Sequence, residues 1–265
     1  MPNTSEQPKD SLSDASKRII IDLSLGQFEE RVFDGIDQLA LHVGLFSAGK
    51  ELLFTPNPTR VVDQLGRLGG RILLELNLCD TPATTINTVK AIASHACVRM
   101  FTLHLACGDE SIDAALKYRG DKLVIGVALL PSIKSAECRA RFGRDPITIV
   151  VESALRFAER GGDGLICSVH ELEALTLALK SIREKRQSEG KSPFLLIVWD
   201  SEPPWVEPGA EKSRSITHGL AIKAGADYVI DHSIRRPHRA IELTISCAQK
   251  VACEINAAPK KRPRT

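Results

Sequence analysis

The sequence predicts an α/β chain folded as a single (β/α)8 TIM barrel, on three observations. Short apolar runs alternate with longer amphipathic segments from end to end, the pattern of successive β-α units in a parallel sheet. Eight such runs fit into about 240 residues, close to the roughly 250 usual for this barrel. Polar residues cluster at the C-terminal ends of those runs, where a barrel keeps its chemistry. An open doubly wound sheet is the competing arrangement.

Taken in order, the expected strands are Arg18 to Leu23, Leu39 to Val43, Arg71 to Leu76, Val98 to His104, Lys122 to Ala128, Gly164 to Cys167, Phe194 to Val198 and Tyr228 to Ile230. Helices are expected over Asn57 to Leu68, Ala83 to His95, Ile147 to Arg160, Val169 to Lys185 and Arg235 to Ile255, where apolar residues recur three and four apart. The third strand carries the sharpest signal. Leu73, Glu75 and Asn77 share one parity and Ile72, Leu74, Leu76 and Leu78 the other, so two polar groups point one way from a strand.

Composition bounds the class. The 265 residues are 43% hydrophobic and 26% charged, enough for a sizeable core. Segment 1–17 is polar and without a signal-peptide core, so it reads as a flexible leader, with the barrel over 18–256 and a basic flexible tail at 257–265. No apolar run approaches the roughly 18 residues of a membrane helix. A net charge of +2 gives no electrostatic footprint for nucleic acid, and the tail Pro259-Lys260-Lys261-Arg262-Pro263-Arg264 is too short to supply one. Seven cysteines without a CxxC pair point to reduced thiols and a cytoplasmic location.

Several strand-end residues could converge on one mouth. Asp22 closes strand one, His42 lies in strand two, Glu75, Asn77 and Asp80 follow strand three, His104 closes strand four, and Ser132 follows strand five. Prolines 131, 203, 204 and 208 mark the longer loops after strands five and seven. Trp199 and Trp205 flank the second of these, where loop burial explains an aromatic pair. Cys107 lacks a base at nucleophile spacing and reads as a packed thiol. Neither a Walker-type phosphate loop nor a GxGxxG after the first strand is present, so ATP hydrolysis and dinucleotide redox chemistry have no support.

From Arg18 to Ile255 the chain resembles the orotidine 5'-phosphate decarboxylase family. The family's first-strand Asp, which contacts the ribose, is matched by Asp22, and its Lys-Val-Gly on strand two by His42-Val43-Gly44. The third-strand Asp-x-Lys-x-x-Asp-Ile-Pro with a following Thr is matched by Glu75-Leu76-Asn77-Leu78-Cys79-Asp80-Thr81-Pro82 and Thr84. The fourth-strand Thr-Val-His-Ala-x-Gly-Gly resembles Thr102-Leu103-His104-Leu105-Ala106-Cys107-Gly108, and Leu129-Leu130-Pro131-Ser132 resembles the Leu-Thr-Ser that presents a serine to the pyrimidine. The runs 163–168 and 224–229 resemble two scaffold turns.

The resemblance implies conversion of orotidine 5'-phosphate to uridylate and CO2 in a homodimer, with no cofactor and a nucleotide or other small anionic ligand. The departures fall on that chemistry. The family's Lys-Asp-Lys-Asp tetrad, its last Asp supplied by the second subunit, maps to His42, Glu75, Asn77 and Asp80, so only Asp80 is kept. The phosphate-binding arginines map to Glu202 and His232, with Arg235 and Arg236 a turn later. An amide at Asn77 offers neither an acidic proton nor a full charge. The expectation is a barrel of impaired or absent decarboxylase activity. Two alternatives stand beside it: a rewired decarboxylase with His42 as acid beside Asp80 and Arg235 or Arg236 on the phosphate, and a divalent-metal enzyme using His42, Glu75, Asp80 and His104.

Overall fold

A computed structural model describes residues 12–23, 36–54, 58–130, 132–201, 216–232 and 241–257. Eight parallel strands close on themselves in sequence order. They are β1 (Ile19–Asp22), β2 (Leu45–Gly49), β3 (Ile72–Leu78), β4 (Val98–His104), β5 (Leu123–Val127), β6 (Gly164–Cys167), β7 (Leu195–Val198) and β8 (Tyr228–Asp231). Closure is made where Ile19, Ile20 and Ile21 of β1 pair with Val229, Ile230 and Asp231 of β8. The expected barrel is therefore the observed one, and an open sheet is not.

Ten α-helices lie among the described residues: α1 (Ile36–Leu39), α2 (Pro58–Arg67), α3 (Pro82–Ser94), α4 (Asp109–Tyr118), α5 (Ser135–Phe142), α6 (Pro146–Glu159), α7 (Leu172–Ala178), α8 (Lys180–Ser188), α9 (His218–Ala224) and α10 (Ile241–Ala257). Pro82 and Pro146 open α3 and α6, where a missing N–H costs nothing and the fixed φ suits a helix. The single helix expected over Val169 to Lys185 is two, α7 and α8, meeting at Leu179. None of the described helices is long and apolar enough to cross a membrane.

The period-two pattern sorts each strand between two cores. Ile20, Leu45, Leu73, Met100, Ile125, Ile197 and Ile230 pack together inside the barrel. Their neighbours Ile19, Ile21, Phe46, Ile72, Phe101, Val124, Leu196 and Val229 belong to the larger core beneath the helices. Leu73 faces the barrel axis, as the parity of β3 requires of its partners Glu75 and Asn77.

Strand two is a correction. The run Leu39 to Val43 is not a strand: Leu39 ends α1, residues 40–42 turn, and the pairing segment is Leu45–Gly49. A short apolar run does not by itself distinguish a helix end from a buried strand, and here the next apolar run takes the strand. His42 accordingly sits before the N-terminal end of β2, its N–H donating to the Leu39 carbonyl at 2.9 Å.

That N-terminal face is held by arginines. Arg71 donates to the carbonyls of Gly44 and Ala40, each at 2.8 Å, and to that of Val43, pinning the turn that contains His42. Arg18 reaches the carbonyls of Asp227 and Ala226, Arg186 that of Gly162 at 2.7 Å, and Arg119 pairs with the Asp163 carboxylate. A guanidinium with five donors satisfies several turn carbonyls at once, which is a stabilising arrangement at the barrel face remote from chemistry.

Candidate active site at the barrel mouth

Two residues beyond each inward apolar side chain, the same parity places the next inward position. Those positions are Asp22, Ser47, Glu75, Thr102, Val127, Trp199 and His232, with Asn77 and His104 one step further on β3 and β4. They form the floor and wall of the C-terminal mouth. Asp22 is 3% exposed, Ser47 and Thr102 are fully buried, and Glu75 and His104 are half-buried.

His232 ties three strands together. Its Nδ1 lies 2.8 Å from Asp22 Oδ2 and its Nε2 lies 2.6 Å from the Trp199 carbonyl oxygen. Both ring nitrogens are thus engaged within the protein. The Trp199 ring meets His232 edge-on, with centroids 6.3 Å apart. Ser47 Oγ donates to the other Asp22 oxygen at 3.4 Å. The expected ribose ligand is thus held on two sides by the protein itself.

On β3 the backbone bulges. Leu74 pairs with Phe101 and Leu78 with Leu103, so β3 spends four residues where β4 spends two. Asn77 sits in that bulge at φ 47°, the only non-glycine residue with positive φ among those described, and its N–H donates to Thr102 Oγ1 at 2.8 Å. Asparagine tolerates this left-handed conformation better than most side chains. Asn77 is exposed at the mouth, as are Asp80, Thr84 and Ser132. Asp80 Oδ1 accepts from Thr81 N–H at 2.7 Å, while its carbonyl accepts from Ser111 Oγ of α4 at 2.8 Å, fixing the turn into α3.

His104 Nδ1 accepts from Ala106 N–H at 3.2 Å, so the ring's proton is on Nε2. Burial lowers the pKa of its imidazole, which favours this neutral form. The Cys107 thiol is pushed up to about 11 by burial, with the Cys79 thiol adding to it, so it is a packed thiol and no nucleophile.

At the opposite wall, Glu171 Oε2 accepts from Ser168 N–H at 2.8 Å and Ser168 Oγ accepts from His170 N–H at 3.0 Å. Ser168 and Glu171 thus hold the turn that leads into α7, whose N-cap is Glu171. Burial, with Asp200 nearby, lifts the Glu171 carboxyl to about 7. Behind it, Ser201 Oγ lies 2.8 Å from His218 Nδ1, and His218 Nε2 lies 3.9 Å from Asp231 Oδ1. All three residues are at most 2% exposed, so the set joins the ends of β7 and β8 to α9 and offers no accessible nucleophile.

The mouth therefore unites Asp22, Glu75, Asn77, Asp80, His104 and His232 at strand ends. It does not include His42, which stands at the other end of β2, separated from Asp80 and Glu75 by the length of the strand. The inward residue on the C-terminal part of β2 is Ser47, followed by Ala48 and Gly49. The Glu51 carboxylate folds over the strand end, 2.2 Å from where a Cβ on Gly49 would stand. The proposed metal ligand set is broken by the same displacement of His42, and among the described residues no three His, Cys, Asp or Glu side chains are grouped to hold a metal ion. Glu202, Arg235, Arg236 and Trp205 lie outside the described residues. On the described loops leaving the strand C-termini, the only lysines or arginines are Lys50 and Lys134, both exposed.

The family model described as orotidine 5'-phosphate decarboxylase / HUMPS family matches residues 24–231. The chain is 28% identical over 253 residues to orotidine 5'-phosphate decarboxylase of Syntrophomonas wolfei, covering 91% of this chain and 98% of that one. It is 30% identical over 233 residues to the enzyme of the same description from Desulfosudis oleivorans, covering 83% and 85%. Among solved structures, orotidine 5'-phosphate decarboxylase from Lactobacillus acidophilus superposes with a TM-score of 0.68 at 21% identity, covering 90% of this chain and 99% of that one. An uncharacterized conserved protein from Geobacillus kaustophilus gives 0.66 at 20%, covering 88% and 99%. These superpositions carry the fold.

Proposed function

Because the chain belongs to the orotidine 5'-phosphate decarboxylase / HUMPS family, we propose that it is a barrel of that family whose capacity to decarboxylate orotidine 5'-phosphate is impaired or lost. The observation that supports this reading is that no lysine or arginine stands at an inward strand-end position among the described residues. With the second strand running over Leu45–Gly49, we match the family's strand-two Lys-Val-Gly to Ser47-Ala48-Gly49, whose glycine ends that strand, in place of His42-Val43-Gly44. Both lysine positions then hold neutral groups, Ser47 and Asn77. A hydroxyl and an amide neither protonate a carbanion at neutral pH nor stabilise it with full charge. Each lost function commonly costs on the order of 100-fold or more.

A two-fold dimer belongs to the same proposal. The Asp80 carboxylate is exposed at the rim, where the family's corresponding Asp reaches a neighbouring subunit's site. Size-exclusion chromatography with light scattering is expected to give about twice the 28.9 kDa of one chain.

The test is orotidine 5'-phosphate turnover by the purified full-length protein, followed by the absorbance change to uridylate. No turnover above buffer is expected for the natural chain or for Asn77→Lys alone, since Ser47 still lacks its cation. Sustained turnover by the natural chain overturns the proposal and directs attention to Lys50, the lysine that directly follows β2.

A further inference from the structure

Past the C-terminal end of β6 the chain makes a turn, closed where Glu171 N–H donates to the Ser168 carbonyl at 3.1 Å. Two carboxylates stand on successive amides of that turn. Ser168 N–H donates to Glu171 Oε2 and Val169 N–H to Asp200 Oδ1, each at 2.8 Å. Glu171 belongs to the turn, whereas Asp200 comes from the end of β7, brought alongside by the pairing of Cys167 with Val198. Consecutive residues are about 3.8 Å apart, so the two acids share one small, half-buried place.

No cation offsets them. Neither carboxylate has a lysine or arginine partner among the described residues. His170 on the same turn and Glu173 in α7 are exposed. Burial, then the carboxylates of Glu171, Asp200 and Asp227, hold the Cys167 thiol beneath them well above its usual range, so it adds no charge. Asp227 is itself paired with Arg183 at 2.7 and 2.8 Å. On the β8 side, His232 is committed to Asp22 and to the Trp199 carbonyl.

Two acids placed this way do not ionise independently, because the second charge meets both poor solvation and the first charge. With one proton on the pair, each amide keeps its acceptor and no repulsion acts between the two loops. With both ionised, repulsion acts between the β6 turn and the end of β7. The backbone rung at that point, Trp199 N–H to the Cys167 carbonyl, is long at 3.3 Å and resists separation weakly.

We propose that Glu171 and Asp200 form a proton-controlled clasp in the wall of the barrel mouth, in which one proton on the pair holds the β6 turn against the end of β7 and its loss lets them part beside Trp199. Acid closes this wall and base loosens it. Burial, then Asp200, lifts the Glu171 carboxyl to about 7, which sets the transition in the neutral range.

NMR of the isotope-labelled full-length protein, following the Ser168 and Val169 amide signals from pH 5.5 to 8.5, tests the clasp. Both signals are expected to move together with one midpoint near pH 7, Val169 losing the shift of a carboxylate-bound amide as Asp200 withdraws. Glu171→Gln keeps an oxygen for Ser168 N–H but cannot ionise, so it is expected to hold both signals at their low-pH positions throughout. Asp200→Asn keeps an oxygen for Val169 N–H and removes the like charge, so the Ser168 midpoint is expected to shift to lower pH. A Ser168 signal that titrates while Val169 stays fixed shows Glu171 ionising without release of β7 and overturns the proposal. Separate midpoints for the two amides, a transition that persists in Glu171→Gln, no transition in the natural chain, or a Ser168 midpoint unmoved by Asp200→Asn each overturn it as well.

Discussion

Glu171 couples the stability of the barrel to pH in a direction that can be worked out. Its carboxyl is lifted from an ordinary 4.5 to about 7, first by burial and then by Asp200. Because the folded form then holds its proton more tightly than the unfolded chain, the folded state binds more protons between pH 4.5 and 7. Stability from this group is fully present below pH 4.5, declines as pH rises, and is gone above about 7. The span corresponds to about 3 kcal/mol. Glu171→Gln keeps an oxygen for Ser168 N–H but cannot ionise. Urea unfolding of both proteins from pH 4.5 to 8.5 is therefore expected to show the natural chain losing about 3 kcal/mol relative to the variant. In melting temperature the change is on the order of 10 °C for a chain of this size. A difference that stays flat across the window, or that favours the natural chain as pH rises, refutes the assignment.

Other outcomes follow from contacts elsewhere. Arg71→Met removes the donor shared by the carbonyls of Ala40, Val43 and Gly44 and is expected to cost about 2–3 kcal/mol in urea unfolding, with mouth-ligand affinity unchanged. Gly44→Ala puts a methyl 2.1 Å from the Lys17 carbonyl oxygen, a backbone atom that cannot swing away, so a loss of about 1–3 kcal/mol is expected. With its thiol pushed up to about 11, Cys107 is expected to stay unmodified by iodoacetamide at pH 8 in the folded protein, and mass spectrometry of the digested product reads this directly. His232→Ala frees Asp22 from its ring partner and is expected to lower the melting temperature by a few degrees, since a charge-assisted contact of this kind contributes about 1.5–3 kcal/mol.

Much of the fold was legible because local periodicity and barrel geometry report the same thing. β4 and β6 lie where the apolar runs placed them, and the parity of Leu73, Glu75 and Asn77 put the polar pair of β3 on the inner face. Strand two was misplaced because Leu39 to Val43 and Leu45 to Ala48 are both short apolar runs, and only pairing with β1 and β3 selects the second. The error moved His42 to the mouth and hid Ser47. Nothing in the composition of either run carries the difference.

The sequence by itself determined the barrel and the cation-poor character of its strand ends, since each is written in short runs of adjacent residues. The tertiary structure decided what those ends touch. Asp22 and His232 are 210 positions apart and meet only because the eighth strand closes on the first. Asp200 reaches the Val169 amide only because β6 and β7 pair in register. Such contacts depend on strand order and stagger, which the chain fixes through its whole packed core and not through any local pattern.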